Sequence, residues 1–377
     1  MRTRTIDRRA FLGGLVAAAG TARCSTAGRP APTGASDTRP WAPPSGGLVQ
    51  KGVNYDVGIP WAPGFNSRAI WRPDFVRREL TAIRDELRGN SVLLYGFEID
   101  RLAEAARIAA ELELRVWLSP RHVDASPADT LRHLAETAVA AETLRREHDG
   151  IGLLLGCELT IFMAGLVPGH GFQERAAALG TAEAAGYDAR LGAFLAQARG
   201  VARRAFRGSL SYSSGTWENV DWSEFDLVAS NLYRDAANEA TYRQDLRSLH
   251  RHGQAVLITE FGCAAHRGAA EKGPTGHEII DWTGARPQIR NGHVRDEQVQ
   301  AGYIDELLGL FAAEHVDGAF VFEFISPSHP YSTDPRYDLD MACYSVVKVH
   351  PAGSPRSYES GYWEPKLAFE AIARRFA

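Results

Sequence analysis

Two glutamates stand at the carboxyl ends of two apolar stretches of this sequence. Val256–Cys263 (VLITEFGC) runs from apolar and β-branched residues into Glu260, and Gly152–Leu159 (GLLLGCEL) runs in the same way into Glu158. Continuous apolar runs of this length are typical of parallel strands that are buried on both faces. A pair of carboxyl groups at one edge of a sheet could supply the proton donor and the nucleophile that cleave an acetal. We therefore predict that Glu158 and Glu260 form a catalytic pair.

Further apolar runs recur along the chain and alternate with segments whose apolar residues have helical spacing. The predicted strands cover residues 52–56, 91–96, 115–120, 152–159, 209–214, 226–233, 255–262 and 318–325. Eight strands that alternate with helices predict an α/β fold, a single (β/α)8 (TIM) barrel over residues 50–377. A doubly wound open sheet is the alternative, but Gly52–Gly58 (GVNYDVG) lacks the glycine-rich phosphate turn that follows the first strand of such sheets.

The N-terminus is predicted to lie outside this fold. Asp7–Leu12 (DRRAFL) precedes a short apolar run, which resembles a twin-arginine (Tat) export signal and is assigned to residues 1–27. The run is shorter than the roughly 20 residues that span a bilayer, so no integral membrane span is expected. The Tat export machinery would be a partner, and the mature protein would be secreted or associated with the cell envelope.

Two further features of the N-terminal region bear on localisation. Cys24 leaves lipoprotein anchoring open, although Arg23 breaks the small-residue pattern before it. Residues 28–49 are rich in Pro, Gly, Ser, Thr and Ala, which predicts a flexible spacer between the signal and the barrel.

Composition excludes several classes of function. The formal net charge is -4, and residues 1–39 hold seven arginines against two aspartates, so the remaining chain is more acidic still. Nucleic-acid binding needs a basic face and is therefore not expected. No CxxC, HExxH or P-loop pattern occurs, so neither a cofactor nor a metal is predicted. The four cysteines do not have the spacing of a disulfide framework.

The remaining predicted strand ends and loops supply polar and aromatic side chains. In a barrel, the carboxyl ends of the strands form the active face. A sugar site needs carboxylates, hydrogen-bonding groups for hydroxyls and aromatic faces for pyranose rings, so we predict a carbohydrate substrate. The candidate substrate-binding residues are Asp56, Tyr95, Arg121, His122, Trp217, Asn231, Tyr233 and Glu323. Trp222 is a further candidate platform, with core packing as its alternative, and Asp338–Asp340 is expected to be a solvated turn.

Glu158 at the end of strand four and Glu260 at the end of strand seven resemble the arrangement of the clan A glycoside hydrolases, which are retaining (β/α)8 enzymes. The resemblance implies that Glu158 is the general acid/base and Glu260 the nucleophile. It also implies that Tyr233 hydrogen-bonds the nucleophile and that His122 holds a sugar hydroxyl.

Two positions depart from that pattern. Cys157 stands where the clan usually has an asparagine that binds the sugar 2-hydroxyl. Phe322–Phe324 (FEF) stands where a tryptophan commonly ends strand eight as a sugar platform. The identity of the bound sugar is therefore not carried over from the resemblance.

Several stretches are similar to exported actinobacterial barrel proteins often labelled abortive infection proteins, a label that is not a demonstrated activity. They are KGVNYDVG, ITEFGCAAHRGA, RDEQVQAGYIDELL, DPRYDLDMACYSVVK and WEPKLAFEAI. Three hypotheses follow: a retaining glycoside hydrolase acting on an extracellular or envelope glycan, a catalytically lapsed carbohydrate-binding barrel, and a defence-linked protein. Two glutamates facing one cleft would favour the first, and a glutamate walled into a salt bridge would favour the second.

Overall fold

Eight parallel strands form the inner layer of the protein, whose computed structural model describes residues 47–377. They are β1 (Gln50–Gly58), β2 (Ser91–Gly96), β3 (Arg115–Pro120), β4 (Ile151–Cys157), β5 (Ser209–Ser213), β6 (Val228–Asn231), β7 (Val256–Phe261) and β8 (Gly318–Val321). Hydrogen-bonded neighbours follow the order β5-β4-β3-β2-β1-β8-β7-β6. A parallel bridge between Ser214 and Ser230 joins the two outer strands, so the sheet closes and the predicted barrel is confirmed. The predicted signal peptide and nearly all of the spacer lie outside the described residues.

Ten helices pack around the barrel in the described part of the chain. They are α1 (Pro73–Asp85), α2 (Ile99–Glu111), α3 (Pro127–Glu147), α4 (Leu159–Phe162), α5 (Phe172–Ala178), α6 (Tyr187–Ala205), α7 (Tyr242–Leu249), α8 (Ala269–Lys272), α9 (Glu297–Ala313) and α10 (Leu367–Phe376). The predicted alternation breaks between β5 and β6, where only the 3-10 turn Trp222–Glu224 occurs. Within residues 47–377, no helix has the length and apolar character needed to cross a bilayer.

Local sequence signals explain where these helices begin and which face they bury. The hydroxyl of Ser126 accepts a hydrogen bond from the backbone N–H of Asp129, and Pro127 occupies the first helical position of α3. Helix α1 also starts with a proline and buries Phe75 and Leu80 against the strands. Helices of this kind form the outer layer by packing their apolar faces on the strands, and the carboxyl ends of the strands stay available for a functional site.

Large side chains fill the barrel interior because small residues face them. A Cβ atom on Gly152 would lie 2.6 Å from the Trp117 ring, and one on Gly52 would lie 2.3 Å from the Phe320 ring. Both aromatic rings are buried. The interior is therefore a packed core rather than a channel, and chemistry is confined to the ends of the strands.

Candidate active site

Glu158 follows β4 directly and opens the short helix α4. Its backbone is left-handed, with φ 44° and ψ 48°, and its side chain is only 2% exposed. The side-chain amide of Asn231 donates a hydrogen bond of 2.8 Å to Glu158 Oε1. Burial, reinforced by the negative charge of Glu260, raises the pKa of Glu158 to about 8. At neutral pH this carboxyl group holds its proton and can donate it.

Glu260 is the penultimate residue of β7 and is 4% exposed. Arg121 Nη2 donates to Glu260 Oε1 at 2.6 Å, and the hydroxyl of Tyr233 lies 3.4 Å from Oε2. A guanidinium in hydrogen-bonding contact stabilises the negative charge of a carboxylate. The salt bridge uses one carboxylate oxygen, and the side chain still lines the cleft, so Glu260 is paired without being walled off.

Both glutamates line one open cleft of about 1030 Å³ at the carboxyl ends of the strands. The predicted residues Asp56, Tyr95, Arg121 and Glu323 line the same cleft. Its other walls are largely aromatic or apolar and are formed by Ile59, Trp61, Phe65, Phe162, Phe172, Ile280, Phe322 and Tyr344, with the polar side chains of Ser67, His277, Ser326, Ser328 and His329 between them. A concave apolar site with a few convergent polar groups is the usual form of a small-molecule site.

Asn231 and Cys157 lie between the two glutamates. The carbonyl oxygen of the Asn231 side chain accepts hydrogen bonds from Ser213 Oγ at 2.8 Å and Thr259 Oγ1 at 2.9 Å. This fixes the amide nitrogen, which lies 3.3 Å from Cys157 Sγ and donates to Glu158. The Cys157 sulfur lies 3.6 Å from Glu260 Oε1. Burial raises the pKa of the thiol well above its usual range, so Cys157 stays neutral.

Two further carboxyl groups belong to the cleft. Tyr95 donates its hydroxyl proton to Glu323 Oε2, and Asp56 Oδ1 accepts from the backbone N–H of Gly58 at 2.7 Å. Burial, followed by the charge of Asp56, raises the pKa of Glu323 to about 8, and burial also raises the pKa of Asp56. The cleft therefore holds four carboxyl groups beside one guanidinium, that of Arg121. Among residues 47–377, no group of three or more Cys, His, Asp or Glu side chains has an arrangement that could hold a metal ion.

Four of the predicted substrate-binding residues are not among those that line the cleft. Asn231 and Tyr233 instead contact the two glutamates, whereas His122 and Trp217 pack elsewhere. His122 packs against the rings of Phe97 and His133, with centroid distances of 4.8 and 5.4 Å, and lines a separate small cavity beside Cys157. Trp217 packs on the apolar cluster around α5, and its Nε1 donates to Thr160 Oγ1 at 2.9 Å. Neither ring is among the groups that line the cleft.

Two further expectations concern Trp222 and the segment Asp338–Asp340. Trp222 is buried in the core against Phe225, so the alternative of core packing describes it. Asp338 and Asp340 are buried and form ion pairs with Arg295, so the expectation of a solvated turn is wrong.

Sequence reasoning missed several residues of the cleft wall, because they lie in long loops without periodicity. Trp61 and Phe172 come from the loop after β1 and from α5, and their rings pack together at 5.3 Å. His277 and His329 come from the loops after β7 and β8, and burial lowers the pKa of each to about 4. Both imidazole rings are therefore neutral hydrogen-bonding groups near pH 7.

No model of a known protein family and no curated protein matches the sequence. Solved structures match at the level of the fold. A β-glucuronidase from Parabacteroides merdae shares 14% identity over 88% of this chain and 37% of that one, with a TM-score of 0.51. A glycoside hydrolase family 5 enzyme from Prevotella bryantii shares 10% identity over 88% and 97%, with a TM-score of 0.48. A GH53 catalytic domain from Ignisphaera aggregans shares 12% over 88% and 95%, with a TM-score of 0.47.

The similarity to the Parabacteroides merdae β-glucuronidase describes a common barrel and no more, because the identity is low. The chain spans about a third of the length of the β-glucuronidases that it matches. The three solved structures named above are glycoside hydrolases by name, and none of the matches supports the abortive-infection label.

Proposed function

We propose that this protein is a retaining glycoside hydrolase that cleaves an O-glycosidic bond, with Glu158 as acid/base and Glu260 as nucleophile. The observation that carries the proposal is the contrast between two buried glutamates in one cleft. Burial raises the pKa of Glu158 to about 8, whereas Glu260 is ion-paired with Arg121. One protonated and one charged carboxyl group are the two groups that the reaction needs.

The reaction would run in two displacements. Glu260 attacks the anomeric carbon while Glu158 gives its proton to the departing glycosidic oxygen, which leaves as an alcohol. The sugar is then held to Glu260 through an ester bond. Glu158, now a carboxylate, takes a proton from water, and the resulting hydroxide displaces Glu260 and regenerates both groups. Asn231, fixed by Ser213 and Thr259, keeps the Glu158 carboxyl group oriented through both steps.

The first test is a screen of purified protein against 4-nitrophenyl glycosides and cell-wall glycans. Nuclear magnetic resonance of the first-formed sugar should show the anomeric configuration of the substrate. A 2-deoxy-2-fluoroglycoside of the preferred sugar should accumulate on Glu260, which mass spectrometry of a peptide digest would identify. Glu271→Gln, which changes an exposed glutamate after β7, is the matched control and should behave as the wild type. Inverted product, or label on another residue, would overturn the proposed mechanism.

A carbohydrate-binding barrel without catalysis is the second candidate. It is favoured by Cys157 at a position where an asparagine is expected, and by the salt bridge that occupies Glu260 Oε1. Glycan binding by the wild type and Glu260→Ala should be compared by calorimetry. Equal affinity together with no cleavage by either protein would establish this candidate and exclude the first.

We also propose that the protein is exported by the Tat machinery and acts on an extracellular or envelope glycan. The support is the Arg8–Arg9 pair with its apolar run, which lies outside the described residues. Replacement of both arginines by lysine should retain the protein in the cytoplasmic fraction of the producing cell. Unchanged export of that variant would contradict the proposal.

A further inference from the structure

The first turn after Glu158 is capped by residues from another part of the chain. A helix leaves its first backbone N–H groups without partners inside the helix, and the side chain of the N-cap residue usually accepts one of them. Glu158 occupies the N-cap position of α4, but its side chain makes no cap hydrogen bond and instead contacts Asn231. The N–H of Leu159 donates to the Tyr212 hydroxyl at 2.7 Å, and the N–H of Thr160 donates to Glu218 Oε1 at 3.1 Å.

Glu218 is the centre of this external cap. Its carboxylate accepts from the backbone N–H of Thr160, the hydroxyl of Thr160 at 2.6 Å, the hydroxyl of Tyr212 at 2.9 Å and the N–H of Gly215 at 3.0 Å. Trp217 Nε1 donates to the same Thr160 hydroxyl, which explains the position of that ring. Glu218 is buried, and the four donors to its carboxylate are all uncharged.

We propose that Glu218 is a positioning residue for Glu158, acting through the backbone of the turn that follows Glu158 and through its own negative charge. This inference rests on the proposed function for its kinetic consequences. The geometric part follows from the left-handed backbone of Glu158, which few non-glycine residues adopt without support from their surroundings. Glu218 and Tyr212 supply that support by fixing the two peptide groups that come next.

The electrostatic part follows from the charges that face Glu158. Burial and Glu260 raise its pKa most, and Glu218 also raises it, while Asn231 and Arg121 lower it. Cys157 and Tyr233 also lie close to Glu158, and the pKa of each is raised by burial. Around Glu218 itself lie Tyr212 and Tyr187, whose phenols are neutral because burial raises the pKa of both.

The charge of Glu218 changes over a pH range close to the one in which Glu158 titrates. Burial raises the pKa of Glu218 to about 7, so the group is mostly ionised near pH 8, where Glu158 titrates. Its negative charge therefore opposes the ionisation of Glu158 at the pH where this matters. Removal of that charge should make Glu158 lose its proton at lower pH.

Two variants separate the geometric effect from the electrostatic effect. Glu218→Gln keeps the size of the side chain and one acceptor oxygen but removes the charge. Tyr212→Phe keeps the Glu218 carboxyl group, although it removes one donor to that group, and it removes the acceptor of the Leu159 N–H. We expect both to lower kcat about tenfold or more with little change in KM, because each loosens the turn that holds the acid. Glu218→Gln should also move the alkaline limb of the pH profile down, by roughly one pH unit, and Tyr212→Phe should move it less because the Glu218 carboxyl group remains.

Glu142→Gln is the matched control, because Glu142 plays a comparable role at the other end of β5. Its carboxylate accepts from the N–H of Arg207 at 3.0 Å and from Arg145 Nε at 2.8 Å. Arg207 precedes the amino end of β5, away from the cleft. Glu142→Gln should lower the melting temperature and leave kcat and the alkaline limb unchanged.

A titration of the Glu158 carboxyl carbon by nuclear magnetic resonance gives a readout that does not depend on turnover. If the wild type cleaves no glycoside, the proposed function fails, but a lower Glu158 pKa in Glu218→Gln would still support the positioning role. An unchanged pKa and unchanged kcat in folded Glu218→Gln would overturn it. Should that variant not fold, an unchanged kcat in Tyr212→Phe would overturn it as well.

Discussion

Two buried ionic clusters at the carboxyl end of the barrel differ in their balance of charge. The cleft cluster contains Asp56, Glu158, Glu260 and Glu323 with the single cation Arg121. The loop cluster contains three carboxylates with three cations, namely Asp338, Asp340 and Glu297 with Arg295, Lys366 and Lys348. Lys366 Nζ lies 2.9 Å from Asp340 Oδ1, and Arg295 Nη1 lies 3.0 Å from Asp338 Oδ2.

The difference in balance changes what burial does to a carboxyl group. Burial raises the pKa of Glu158 and Glu323 to about 8, because the nearby carboxylates add to the effect. In the loop cluster, burial raises the pKa of Asp338 only to about 6, because Arg295 opposes it. A balanced cluster holds a loop in place, whereas an unbalanced one keeps protons that can be transferred.

The comparison is tested most severely by Glu260→Ala. Removal of the nucleophile should lower kcat at least about 10³-fold, which corresponds to about 4 kcal/mol. Added azide should restore part of the rate by attacking the anomeric carbon in the place of Glu260, giving a glycosyl azide of inverted configuration. Product analysis by nuclear magnetic resonance checks this. A variant that keeps wild-type activity would place the nucleophile elsewhere.

The loop cluster should respond in stability rather than in chemistry. Lys366 is 1% exposed, so Lys366→Met buries an apolar chain of similar size and leaves Asp340 with Arg295 alone. We expect the free energy of unfolding to fall by about 3 kcal/mol, because one partner of a buried ion pair is lost. Urea denaturation measures the loss. Activity per folded molecule should stay near that of the wild type, and a selective loss of kcat would break the distinction between the clusters.

The double variant Lys366→Met, Asp340→Asn is the control for the loop cluster. It removes both partners of the ion pair, and it should recover part of the lost stability if charge imbalance is the cause. If the double variant loses more stability than Lys366→Met and Asp340→Asn lose together as single variants, the loss would be assigned to packing instead.

Replacement of a carboxyl group in the cleft cluster should raise the stability of the protein, whereas Lys366→Met in the loop cluster should lower it. A carboxyl group with a raised folded-state pKa binds its proton more tightly in the folded state, so it lowers stability as pH rises from its unfolded pKa towards its folded pKa. For Glu323, whose folded pKa is about 8, the penalty grows by about 1.4 kcal/mol per pH unit in that window. The histidines with lowered pKa act only below about pH 6.5, the ordinary value, so the window from pH 6.5 to 8 reports on the carboxyl groups.

Glu323→Gln therefore should stabilise the protein at pH 8 relative to the wild type and have less effect at pH 5. Thermal unfolding of both proteins at the two pH values measures the difference. Glu297→Gln, which alters a carboxylate held by Arg295 outside the cleft, is the control and should destabilise at both. A loss of stability in Glu323→Gln at pH 8 would show that Glu323 is held as a charged group.

Sequence patterns predicted the barrel and the positions of its strands well, because parallel strands that are buried on both faces consist of continuous apolar residues. They also predicted that Glu158 and Glu260 share one edge of the barrel, and both line the same cleft. Glu218 could not be found in this way. It lies in a connection without periodicity, and its role depends on where Thr160 lies, 58 residues away in the chain. The prediction that Trp217 binds sugar rested on its aromatic character alone. That character does not reveal the hydrogen bond from Trp217 to Thr160.

The smallest expected effect belongs to Tyr233→Phe. The hydroxyl lies 3.4 Å from Glu260 Oε2, which is a weak contact compared with the 2.6 Å bond from Arg121. Loss of one such hydrogen bond costs about 0.5–1.5 kcal/mol, so we expect kcat to fall by roughly tenfold or less. If the hydroxyl instead bonds the nucleophile closely once substrate is bound, the loss would reach about 10²-fold, and it would appear in kcat rather than KM. Steady-state kinetics on one aryl glycoside decides between these values, and Tyr362→Phe, which removes a hydroxyl bonded to Glu364 away from the cleft, is the matched control.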